Sequence, residues 1–232
     1  MERQALPAPA TYEDLAQRID LPLLKAELTA TQVFECLELA KRYAIGCAVV
    51  RPCDMDLAVR ALQGSAVRAG AAASFPHGWA STAVKLYEIR DLLRRGAKEI
   101  AMAAPTPKLV SREFPYVQTE FLQASEACHK EGAALTVVLE SEYLTGEMKI
   151  VACRCAERAE ADRVAVSGYS MEDLALLRKH LPEEIGIEVW GDIESVERVL
   201  ELHAAGWTRF ATSTAAAVLE EWKGRLAGTK VT

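Results

Sequence analysis

The stretch "RRGAKEIAMAAP", residues 94–105, closes an amphipathic pattern at a glycine, passes through a short apolar run and stops at a proline. The same grammar returns as "KEGAALTVVLES" (130–141), "AEADRVAVSG" (159–168), "EEIGIEVWGD" (183–192) and "AAGWTRFATST" (204–214). Earlier copies are "RYAIGCAVVRP" (42–52) and "AVRAGAAASFP" (66–76). The apolar runs are short and lack clean alternation, as expected of parallel strands covered on both faces. Counting "QRIDLPLL" (17–24) as the first strand gives a series of β–α units that suffices for a (β/α)8 TIM barrel. A doubly wound open sheet would show a similar alternation, so closure does not follow from strand order alone.

Between the strands lie amphipathic segments such as "TATQVFECLELAKRYA" (29–44), where Val33, Leu37, Ala40 and Ala44 share helical spacing. Thr29 or Thr31, Ser81, Ser111, Thr145, Ser170 and Ser195 stand where N-caps are expected. Residues 10–18 read as a short extra helix covering one barrel end, and residues 1–9 as a loose N-terminus. No linker or composition shift divides the rest, so residues 10–232 are expected to form one domain.

The chain has 232 residues, is 50% hydrophobic and carries a net charge of −6 with its charges interspersed. That supports one large core and offers no basic run to follow a nucleic-acid backbone. Neither a signal-peptide pattern nor an apolar stretch of about 18 residues is present, which points to a cytoplasmic protein with no membrane partner. The six cysteines match no disulfide framework and are expected to be reduced, buried thiols. Cys153 and Cys155 fall on different faces of an expected helix, which argues against a shared metal.

In a barrel, function sits at the C-terminal ends of the strands. Glu140, after "LTVVL", would place a carboxylate at the mouth, and Asp20 and Glu188 would face it there. Acids clustered without enough cations should raise at least one pKa. Alternatively, each pairs with a neighbouring cation. His77, in the turn "SFPHGW", reads as a general acid or base or as an exposed turn residue. Lys108 in "APTPKLVS" is either a solvated loop lysine or a catalytic amine. "ATST" (211–214) precedes a helix, so its N–H groups could meet an anion or form an ordinary cap. With His77 the one histidine on a strand-end loop, neither a metal nor a cofactor is expected.

Taken together, "IDLPLLK", "FPHG", "STAVKLYEIRDLLRRGAKEIAM", "VVLESEYLT", "AERAEADRVAVSG" and "GWTRFATSTAA" resemble the deoxyribose-phosphate aldolase family in collinear order from about residue 12 to about 226. The resemblance implies a TIM barrel and metal-free Schiff-base cleavage of 2-deoxyribose 5-phosphate. It also implies a lysine on the sixth strand, a second lysine on the seventh that lowers the pKa of the first, and a proton-relay aspartate on the fourth. Ala165, Glu188 and Ala101 occupy those matching positions. The glycine-rich phosphate loops the family implies are reduced here to "SGYSM" and "WGD", where Asp192 would repel a phosphate and Trp190 could fill part of the pocket.

The expectation is therefore a family member without Schiff-base cleavage, either non-catalytic or binding another small polar, sugar-like ligand. Asp20, Glu140, Ser167, Gly191, Thr212 and Ser213 are the candidate contacts. The competing expectation is an active lyase with a relocated amine, Lys108, or with acid–base chemistry by Glu140, Glu188 and His77. Self-association into a homo-oligomer is expected through helices such as "EFPYVQTEFLQASEA" (113–127).

Overall fold

In the computed structural model, which describes residues 7–229, every repeat read above folds as a strand followed by a helix. The order begins α1 (Tyr12–Ala16), β1 (Ile19–Leu23), α2 (Ala30–Arg42), β2 (Cys47–Val50), α3 (Met55–Leu62), β3 (Arg68–Ala73), α4 (Thr82–Arg94) and β4 (Glu99–Ala103). It continues α5 (Thr106–Val110), α6 (Phe114–Lys130), β5 (Ala134–Glu140), α7 (Gly146–Arg158) and β6 (Arg163–Ser167). The last elements are α8 (Met171–His180), β7 (Gly186–Trp190), α9 (Val196–Ala204), β8 (Arg209–Ala211) and α10 (Ala215–Thr229).

The strands pair in chain order, all parallel, and β8 pairs back onto β1, so the sheet is a closed barrel and not an open one. Two backbone bonds seal the seam: Phe210 N donates to Arg18 O at 2.9 Å and Thr212 N to Asp20 O at 3.0 Å. Closure explains the continuous apolar runs, because alternate residues face the helices and the barrel axis and both faces are dry. Ile100, Met102, Val137, Val164, Ile187 and Phe210 are fully buried members of the core between sheet and helices.

The helices bury the faces their spacing predicts, with Val33, Leu37 and Ala40 of α2 buried. Ala44 departs from this pattern: α2 ends at Arg42, and Ala44 takes a φ of 50° in the turn that follows. Thr29, Thr145, Ser170 and Ser195 each accept a backbone N–H at a helix start. Thr31 lies within α2. Ser81 precedes α4 without a side-chain cap. Ser111 caps the C-terminal end of α5, because the next helix begins only at Phe114, with a proline in its first turn.

The short N-terminal helix, α1, lies against the N-terminal ends of the strands, where Ala16 O accepts from Gly46 N at 2.9 Å. Trp222 of α10 donates to Thr11 O at 3.0 Å. The expected loose segment falls partly outside the described residues; within them, Pro9 is buried and Pro7 O accepts from Arg18 at 3.0 Å.

One buried ion pair braces the mouth-side end of β4 from outside. Lys85 on α4 reaches Glu120 of α6 at 2.7 Å and Ala103 O at 3.0 Å, while Thr82 donates to the other Glu120 oxygen at 2.9 Å. Burial lowers the Lys85 pKa although Glu120 opposes the change.

Candidate functional site

The barrel interior is divided into a charged lower zone and an apolar upper zone. Below, Arg68 of β3 and Arg163 of β6 both bond Glu99 of β4, and Arg163 also donates to Thr136 at 2.9 Å. Arg209 of β8 grips Asp20 with two nitrogens, one bond being 3.1 Å. Burial works against the charge of Glu99, but three surrounding guanidiniums outweigh it and hold the carboxyl below its ordinary pKa. Burial also opposes the Arg209 charge, yet the acids around it hold the guanidinium firmly protonated.

Asp20 is the second residue of β1 and lies in this lower zone, not at the strand's C-terminal end where it is expected from sequence. The first strand begins at Ile19, so the aspartate enters the barrel early and is consumed by Arg209. Glu188 likewise lies mid-strand on β7, 2% exposed. Burial, reinforced by the Asp20 carboxylate, raises its pKa well above the ordinary range although Arg209 and Arg163 oppose the shift. The Glu188 carboxyl accepts a hydrogen from Trp190 Nε1 at 2.8 Å and its other oxygen lies 3.9 Å from Arg163 Nε. Acid clustering thus does raise one pKa, inside the barrel and not at its mouth.

Above this layer, Cys47, Ala72, Ala101, Val138, Ala165 and Ala211 form a small apolar cluster together with Trp190. Ala165 is fully buried and pairs in register with Glu188 on one side and Val138 on the other. Trp190 is only 7% exposed, so its indole takes up volume that the short side chains leave. Phe75, from the loop after β3, lies over it with ring centroids 5.9 Å apart. Burial pushes the Cys47 thiol well up, leaving it a packing group.

The rim carries a second polar group. His77 Nδ1 lies 2.7 Å from Glu140 Oε1, and Glu140 Oε2 accepts from Thr106 at 2.8 Å. Gly78 makes this turn possible: its φ is 62°, and a Cβ there would stand 1.9 Å from Ala104 O. Lys108 does not join the group. It lies on α5, paired with Glu113 at 2.8 Å and 5.0 Å above the Tyr116 ring, and the Glu113 hydrogen bond raises its pKa.

The expected contacts at the last strands are mostly self-satisfied. Thr212 and Thr214 share a hydrogen bond at 2.8 Å, and Thr214 donates to Ile193 O at 2.6 Å, latching the loop after β8 to the loop after β7. Ser213 is exposed and Ser167 half-buried, while Gly191 is exposed with Tyr169 against it. Among the described residues, no group of three or more His, Cys, Asp or Glu is arranged to hold a metal ion, and no helix is long and apolar enough to cross a membrane.

No protein-family model matches the chain. Individual relatives do. The deoxyribose-phosphate aldolase of Caldanaerobacter subterraneus subsp. tengcongensis is 32% identical over 217 residues, covering 90% of this chain and 94% of that protein. That of Streptococcus sanguinis is 33% identical over 212 residues, covering 89% and 96%. The chain belongs to the deoxyribose-phosphate aldolase family. Its fold matches the tetrameric deoxyribose phosphate aldolase of Aeropyrum pernix with a TM-score of 0.84 and 26% identity, covering 93% of each chain.

Within this aldolase-family barrel, the sequence located Ala101, Ala165 and Glu188 on adjoining inner positions of β4, β6 and β7, and these do meet around Trp190. It did not reveal Arg68, Glu99, Arg163 and Arg209 as an interior layer. Each stands at or next to the start of a strand, where a charge reads as solvent-facing. Their recurrence at strand starts was the available signal.

Proposed function

We propose that this aldolase-family barrel has lost Schiff-base cleavage of 2-deoxyribose 5-phosphate, and that its mouth serves a different small polar ligand or none. The observation that carries the reading is Trp190 buried over Ala165 and Ala101, with its N–H on Glu188. Imine formation needs an unprotonated ε-amine beside the substrate carbonyl. Among the described residues, the cations paired inside the barrel with Glu99 and Asp20 are the guanidiniums of Arg68, Arg163 and Arg209, which do not form imines, and a methyl group stands where the resemblance puts the nucleophile. The latch between Thr212, Thr214 and Ile193 O also commits groups that a phosphate would need.

The test is incubation of the purified chain with 2-deoxyribose 5-phosphate and borohydride, read by mass spectrometry, with acetaldehyde release followed in parallel. No adduct and no turnover are expected; a trapped adduct with turnover overturns the reading.

One observation favours a second reading, an active lyase using acid–base chemistry: the His77–Glu140 contact at the rim. Loss of a chelator-insensitive reaction in Glu140→Gln would support it. The Lys108 version is less favoured, because Glu113 keeps that amine protonated. Self-association is proposed as well, through α6, whose Val117, Phe121 and Ala124 are buried within the chain so that Leu122 is its exposed large apolar side chain, with light scattering as its test.

A further inference from the structure

The loop after β3, the first residue of α5 and the last residue of β5 bring His77, Thr106 and Glu140 into contact at the rim, with 63 residues separating the histidine from the glutamate. A carboxylate only accepts hydrogen bonds, so the hydrogen in the His77–Glu140 contact sits on Nδ1; a ring carrying that single hydrogen presents a lone pair at Nε2. Both Glu140 oxygens are occupied, one by His77 and one by Thr106, in a residue only 9% exposed. The glutamate therefore fixes the ring and is not itself open to a ligand. The His77 side chain is 39% exposed, and its Nε2 has no hydrogen-bond partner among the described residues. Its ring meets Trp79 edge-on, with centroids 4.8 Å apart.

We propose that His77 is the hydrogen-bond-accepting centre of a binding site for a neutral, hydroxyl-bearing ligand of the sugar or polyol class, with Trp79 and Phe75 as its apolar wall. The acceptor at Nε2 calls for a donor on the ligand, and a hydroxyl supplies one. The aromatic faces suit the C–H face of a sugar ring. Charge argues against a phosphorylated ligand. The adjoining groove of about 470 Å³ shares Phe75 and Trp79 with this site but not His77 itself, and its lining includes Tyr87, Glu88 and Asp91 and no lysine or arginine. The cations of the neighbouring loops are already engaged, Arg51 by Asp54 at 2.6 Å and Lys108 by Glu113. This inference rests on the reading that the mouth serves a ligand other than phosphorylated deoxyribose, and it gives that ligand a chemical class.

The experiment uses the full chain labelled with nitrogen-15, following the imidazole nitrogens while unphosphorylated 2-deoxyribose, erythritol and 2-deoxyribose 5-phosphate are titrated separately. The free protein should show His77 with its hydrogen on Nδ1, and Glu140→Gln should shift that tautomer balance. One or both neutral compounds should move the Nε2 resonance, and the phosphorylated sugar should move it less. Trp79→Ala, at a side chain that is 74% exposed and so does not endanger folding, should weaken neutral binding roughly tenfold, as should His77→Gln. A hydrogen on Nε2 in the wild type, a His77 resonance unmoved by both neutral compounds, or a stronger response to the phosphorylated sugar would each overturn the proposal. Borohydride trapping reports on an amine and not on this imidazole, so the two readings fail separately.

Discussion

The indole of Trp190 and the carboxyl of Glu188 leave β7 two residues apart, both toward the barrel axis, and the indole N–H donates to the carboxyl at 2.8 Å. The bond ties the roof of the barrel to a buried acid whose pKa burial raises.

Stability should therefore depend on pH through Glu188. Between the ordinary carboxyl value of 4.5 and the raised folded value, the native state holds a proton that the unfolded chain has released. Stability then falls as pH rises, by up to ~1.4 kcal/mol per pH unit for one group. Glu188→Gln cannot ionise, yet can still accept from Trp190 and donate to Asp20. Urea melts should show the variant close to wild type near pH 4 and progressively more stable than wild type toward pH 7. Wild type equal or superior at pH 7 would mean that Glu188 is ionised in the fold.

Removing the roof should be costly. Trp190→Ala empties the space above Ala101 and Ala165, and buried Trp-to-Ala changes typically cost about 3–5 kcal/mol. Trp190→Phe keeps the ring but leaves the Glu188 oxygen without its donor, and should cost less. Denaturant midpoints would rank the two; a larger loss for Phe would mean the hydrogen bond outweighs the packing.

Placing one amine on β6 should not by itself produce Schiff-base chemistry. Ala165→Lys would place an ammonium in register with Glu188, drawing that acid into an ion pair and keeping the amine protonated. Borohydride and 2-deoxyribose 5-phosphate should leave this variant unmodified. Adding Glu188→Lys and Trp190→Gly, which removes the pairing charge and the covering ring, should yield the adduct by mass spectrometry. Adduct formation by the single variant would refute the pairing argument.

The brace behind β4 can be probed independently of the axis. Lys85→Met strands Glu120 in a fully buried position and should cost about 3–5 kcal/mol, the usual loss when one partner of a buried pair is removed. Lys85→Met with Glu120→Leu should recover a substantial part of that loss in thermal melts. A double variant no more stable than the single one would show that the bonds to Ala103 O and Thr82 carry the brace.

The strands and helices were legible because a parallel barrel writes itself as short apolar runs between amphipathic ones, and "RRGAKEIAMAAP" contains both signals. Depth along a strand was not. Asp20 reads as a mouth residue only if β1 starts two residues earlier than it does, and a shift of that size carries a side chain from one interior layer to the next. Pairings across loops were equally hidden: His77 and Glu140 each stood out alone, but nothing local joins residues 63 apart. Lys108 misled because its partner, Glu113, lies beyond the end of its own short helix, where spacing rules for helical pairs do not apply.

The seam between the first and last strands is held in part by Asp20 and Arg209, and Glu188 stands in register with Arg209, so a change at that one catalytic position reaches the pair that keeps the cylinder shut.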